Sequence, residues 1–100
     1  MKFQLMKRCL LYYIFSISVL YSDVVYRVPI EGTIDLGLPP FIQRTLEDAE
    51  SNEATAVIFD INTFGGRVDA ATQIKDAILG TDIPTIAFIN RRAISAGALI

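Results

Sequence analysis

One hundred residues, 52% of them apolar and 20% charged, suffice for one small globular domain and are too apolar for a disordered chain. The sequence has no histidine and a single cysteine, Cys9, which excludes a Ser-His-Asp triad, a Cys-His pair, an internal disulfide and a histidine-ligated metal within it. From Asp23 onward six basic residues stand against eleven acidic ones, a net of −5, and only Arg91-Arg92 are adjacent, so no nucleic-acid surface is expected.

In chain order, Lys2, Lys7 and Arg8 precede a run from Cys9 to Leu20 that is apolar or aromatic except for Ser16 and Ser18. A basic head before a short apolar run is the pattern of a secretory signal, and the run falls short of the ~20 residues of a spanning helix. Residues 1–22 are therefore expected to be a signal peptide or, since no small-x-small cleavage site follows the run, an uncleaved signal anchor.

The domain proper is expected over 23–100. Val24-Val25-Tyr26-Arg27-Val28-Pro29-Ile30 reads as a strand, with Pro29 marking an edge position or a strand end. Leu38-Pro39-Pro40 opens a helix, prolines being tolerated in a first turn, and Leu38, Ile42, Leu46 and Ala49 form its apolar stripe. Glu47, Asp48 and Glu50 give that helix a solvated face. Ala56–Asn62 is apolar enough for a strand covered on both faces. After the turn 63–67, a second helix is expected from Val68 to Leu79, with Val68, Ala71, Ile74 and Ile78 inward and Gly80 as a left-handed cap. Ile83–Ile89 reads as another buried strand, and 93–100 as the start of a third helix.

This alternation of strands and helices predicts an α/β fold with a parallel sheet built through right-handed crossovers. The closing stretch is small, apolar and uncapped, so a truncated domain is expected, with unpaired strand edges and poor solubility.

Two points on that frame bear on chemistry. Gly65-Gly66 follow a buried strand, and their backbone can approach a ligand closely or simply make a tight turn. Neither the Walker spacing nor GxGxxG accompanies them, which argues against a phosphate loop. Ser95 stands at the start of a helix. There it can cap that helix, or present its hydroxyl where the helix dipole favours an oxyanion. Ala96, Gly97 and Ala98 leave room for a substrate carbonyl.

Taken together, the stretches Val57–Ala71 and Arg92–Ile100, with the opening Val28–Asp35, resemble the ClpP/crotonase superfamily, and specifically the NfeD-type membrane-bound serine proteases. The resemblance implies repeated β-β-α units with mainly parallel strands. It implies Ser95 as nucleophile, Gly65 and Ala96 as backbone donors of the oxyanion hole, and Gly66, Arg67 and Val68 as a groove for an extended peptide. Such donors typically contribute about 2.7–4 kcal/mol each. Phe64 departs from the proline that many relatives carry before the glycine pair. The resemblance also implies a lysine base, held neutral by burial. Lys75, beside Asp76, reads as a surface residue, so the base is expected beyond Ile100 and the hundred residues alone are expected to be inactive. Asp60 and Asp69 read as solvated or loop-anchoring carboxylates.

The implied activity is that of an exported, membrane-associated serine endopeptidase on the periplasmic side. Its expected substrates are peptides or hydrophobic segments of membrane proteins, with a stomatin-like membrane partner, homo-oligomeric assembly and no cofactor or metal. Alternatives are a non-catalytic NfeD-like scaffold, a signal-peptide-peptidase-like protease, and crotonase-like acyl-CoA chemistry, against which the signal and the serine both argue.

Overall fold

The computed structural model describes residues 23–100, so the expected signal or anchor at 1–22 lies outside the described residues. Three strands, β1 (Val25–Ile34), β2 (Ala56–Gly66) and β3 (Thr85–Ala93), form one parallel sheet in the order β1-β2-β3. Helix α1 (Leu38–Ser51) joins the first pair, α2 (Val68–Gly80) joins the second, and the short α3 (Ala96–Leu99) follows β3. The α/β class expected from the sequence is the one observed.

Period-2 alternation decides which face is covered. Val28, Ile30 and Ile34 of β1 and Val57, Phe59 and Ile61 of β2 are buried, against Ile42, Leu46 and Ala49 of α1 and Ala70, Ala71 and Ile74 of α2. The two crossovers run in one direction along the sheet and leave both helices on this face. Pro29 lies on β1, an edge strand of the sheet, where its missing donor costs no ladder bond on the outer side.

The end of α1 is fastened to β1 by a polar knot. The Tyr26 hydroxyl donates to Asp48 Oδ2 at 2.6 Å, and Asn52 Nδ2 donates to the Tyr26 oxygen at 2.9 Å. The carboxylate as acceptor, aided by partial desolvation, raises the Tyr26 phenol above its ordinary pKa.

Four expectations need correction. Val68 is 60% exposed, although Ala70 and Ala71 of the same turn are buried, so the inward face of α2 begins at Ala70. Gly80 ends α2 without a left-handed turn, the chain leaving through Thr81 in extended geometry (φ −85°, ψ 145°). The strand read over Ile83–Ile89 is not buried among the described residues: Ile86 and Phe88 on one face and Ile89 on the other are about half exposed (52%, 56% and 50%). Its apolar pattern asks for cover, yet β2 is the only strand it pairs with there. Asp60, read as a solvated or loop-anchoring carboxylate, is instead 2% exposed within β2 on the face away from the helices. There Arg27 Nη2 donates to Oδ2, and Oδ1 has no partner among the described residues.

Candidate active site

The carboxyl ends of parallel strands are where open α/β sheets bind ligands. Here β2 continues past Asn62 through Thr63 to Gly66, longer than the sequence suggests, and β3 runs to Ala93 with an irregularity at Arg91 (φ 83°). The chain then makes a tight turn over Ile94–Gly97, closed by Gly97 N–H donating to the Ile94 carbonyl at 3.0 Å. Ser95 occupies its first corner with φ 55° and ψ −121°, the geometry of a type II′ turn, which glycine ordinarily supplies. Holding a serine there costs on the order of 1–3 kcal/mol, and such strain persists only where the surroundings impose it. The ordinary helix-cap role is not what is observed. The side chain makes no capping bond, the backbone is not extended, and the residue is exposed.

Gly65 completes the site. At φ +108° it carries no side-chain penalty, and a Cβ there would lie 2.8 Å from the Ile94 carbonyl oxygen, 3.0 Å from Ser95 Cβ and 3.1 Å from Ala96 N. The glycine loop and the serine turn are thus in direct backbone contact. Ala96, buried at the start of α3, has an N–H that donates to nothing among the described residues. The Gly65 N–H donates to Thr63 Oγ1 at 3.0 Å, so an oxyanion role for it requires that bond to open.

The expected groove residues sit beside this contact without all being free to pair. Gly66 is pressed on β1, where a Cβ would come within 2.2 Å of the Ile34 carbonyl oxygen, and the Arg67 N–H donates to that same oxygen at 2.8 Å. The Arg67 side chain is held in a fork by Asp69, Nε on Oδ1 at 3.0 Å and Nη2 on Oδ2 at 2.8 Å. That pairing holds the Asp69 carboxyl below its usual range and raises Arg67. Asp69, read as solvated or loop-anchoring, is about half exposed and pairs with Arg67 beside the glycine loop. Phe64 is 70% exposed and stacks under the Arg92 guanidinium, 4.3 Å from the ring centre. These two, with Gly32, Asn62 and Arg91, line an open hollow of about 300 Å³.

Sequence reasoning missed Thr63. It continues the alternation Val57, Phe59, Ile61 onto the buried face, and a buried threonine needs hydrogen-bond partners, which is the signal that could have found it.

Residues 24–100 match the family model described as NfeD1b, N-terminal domain. The chain belongs to the NfeD1b family. It is 43% identical over 79 residues to "Membrane protein NfeD1b" of Bacillus subtilis, covering 79% of this chain and 18% of that protein. It is 33% identical over 85 residues to "Membrane-bound protease PH1510" of Pyrococcus horikoshii, covering 82% of this chain and 19% of that one. The chain thus spans less than a fifth of each curated relative. Among solved structures, the 1510-N membrane-bound stomatin-specific protease, as a lysine-to-alanine mutant with a substrate peptide, superposes with a TM-score of 0.69 at 32% identity (78% of this chain, 37% of that one). A ClpP1 mutant from Listeria monocytogenes gives a TM-score of 0.70 at 27% identity (73% and 43%). The NfeD1b amino-terminal domain is therefore ClpP-like in fold, as the sequence motifs implied. Among its described residues no helix is long and apolar enough to cross a membrane.

Proposed function

We propose that this chain is the amino-terminal part of an exported, membrane-bound serine endopeptidase in which Ser95 is the nucleophile. The observation that carries the reading is the strained Ser95 turn set against Gly65. Strained strand-to-helix corners are how serine hydrolases on α/β sheets expose a hydroxyl at the sheet end. Related solved structures support it in kind: those of the 1510-N protease include a serine-to-alanine mutant and a lysine-to-alanine mutant.

In this reading Ser95 Oγ attacks the peptide carbonyl carbon and passes its proton to a neutral lysine amine. That proton goes to the leaving amine as the C–N bond breaks. Water, giving its proton to the same lysine, then hydrolyses the acyl-serine. The lysine belongs to the longer protein beyond Ile100, since Lys75 on α2 is the only lysine among residues 23–100 and reads as a surface residue. The Ala96 N–H supplies one oxyanion donor and the glycine loop the other. With the Gly65 N–H on Thr63 and the Arg67 N–H on Ile34, the second donor is either Gly65 after its bond opens or the intervening Gly66. Gly66, Arg67 and Val68 border the path of an extended peptide. Hydrophobic segments of membrane proteins are the proposed substrates and a stomatin-like protein the proposed partner, by likeness to the stomatin-specific 1510-N protease. The domain faces the periplasmic side, behind a signal or anchor at 1–22, in a homo-oligomer.

The engaged Gly65 N–H favours a second reading, a non-catalytic scaffold that has kept the fold. Peptide hydrolysis by the full-length protein in membranes separates the two. Ser95→Ala abolishes turnover if Ser95 is the nucleophile; hydrolysis unchanged by that substitution, or absent from the wild type, favours the scaffold.

A further inference from the structure

Thr63 touches every segment that meets at Ser95. Its hydroxyl donates to the Gly32 carbonyl in the irregular end of β1 and accepts the Gly65 N–H at 3.0 Å. Its own carbonyl accepts the Ile94 N–H at 3.1 Å, one residue before the serine. Its methyl lies under Gly97, where a Cβ would come within 2.5 Å of Thr63 Cγ2. The residue is 2% exposed, and its contacts reach back to Gly32 and forward to Ile94 and Gly97. A side chain needed only to fill the core here would be valine, continuing Val57, Phe59 and Ile61. The hydroxyl instead pins the Gly65 amide plane, and with it the face that the glycine loop turns toward Ser95.

We infer that Thr63 is a positioning residue for the serine site: by holding the Gly65 N–H its hydroxyl fixes the turn that presents the next donor, the Gly66 N–H, while its methyl packs the serine turn. The inference rests on Ser95 being the nucleophile. With the Phe64–Gly65 peptide held by Thr63, the following Gly65–Gly66 peptide starts from a fixed point, so the Gly66 N–H is set before substrate arrives, as preorganised electrostatic stabilisation requires. Loss of the hydroxyl frees that plane and lowers the rate of the chemical step, with ground-state binding of an extended peptide little changed.

The test uses the full-length membrane protein with a fluorogenic peptide, comparing Thr63→Val, which keeps the shape, with Thr63→Ser, which keeps the hydroxyl, and with Ser95→Ala. The expected result is a fall in kcat of at least about tenfold for T63V, toward the ~10²-fold that a misplaced group costs, with KM within about twofold and T63S near wild type. Wild-type kcat in T63V, a loss carried by KM alone, or T63S as impaired as T63V would each overturn the inference. Should T63V fail to fold, T63A, which adds no bulk beside Gly65 or Gly97, is compared with T63S by the same split. An active S95A protein would instead defeat the nucleophile reading itself, an outcome distinct from an inactive S95A with a fully active T63V.

Discussion

Gly65 and Ser95 stand backbone to backbone: a methyl group built on Gly65 would reach within 3.0 Å of Ser95 Cβ and 2.8 Å of the Ile94 carbonyl oxygen. Contact that close leaves no room for a side chain between the two loops, and positive φ at both residues means neither can relax in the other's favour.

Gly65→Ala is therefore expected to destabilise by at least about 1–3 kcal/mol from backbone strain alone, with the clash in addition. Thermal unfolding of the purified protein measures it. A melting temperature equal to wild type would mean that the two loops are not in contact in solution.

Ser95→Gly should act in the opposite sense. Glycine adopts the corner without strain but adds entropy to the unfolded chain, so the net change is expected between about 0 and 2 kcal/mol of added stability. Denaturant titration of S95G beside S95A checks this, and S95G should be the more stable of the two. The reverse order would show that Ser95 is not held at positive φ.

Arg27 and Asp60 should respond asymmetrically. Removing Arg27 leaves a buried carboxylate without its donor, whereas removing the charge of Asp60 leaves only an exposed guanidinium. Arg27→Met is expected to cost about 1–3 kcal/mol, and Asp60→Asn less than that. Equal losses in denaturant titrations would count against the pair as drawn.

The Tyr26 knot has a pH signature. Because the folded-state pKa is raised, its contribution is present below the ordinary tyrosine pKa and disappears as pH climbs through the raised value. Ultraviolet titration should show one phenol ionising later than a model tyrosine, and Tyr26→Phe should remove that late step. For Asp69 the sign is reversed. Its lowered pKa keeps the fork to Arg67 intact below the usual carboxylate range, and the pair is lost only as pH falls through the lowered value. Both partners are more than half exposed, so Asp69→Asn should hardly move stability at neutral pH, as a thermal melt would record.

Most of the frame could be read from local pattern. The stripe Ile42, Leu46 and Ala49 fixed the inward face of α1, and the β-branched runs marked each strand, because periodicity and burial are the same fact seen twice. Misreadings came where a residue's fate depends on distant geometry. Val68 fits the helical stripe but is exposed, while Ala70 and Ala71 of the same turn are buried. Asp60 read as solvated or loop-anchoring because nothing local shows its pairing with Arg27 across the strands. The strand from Thr85 has the composition of a core element, yet the described residues cover little of it. The Ser95 turn was legible in position only: its strained φ follows from contacts with Gly65 and Thr63 that no local window contains.

The strand order also carries a consequence for how the molecule is made. Each strand pairs with the one translated just before it, through a crossover that closes without waiting for distant sequence. Chains emerge amino terminus first, so Gly32, then Thr63 and Gly65, leave the ribosome ahead of the serine. Ser95 is the last of them to arrive, and it meets a mould already cast.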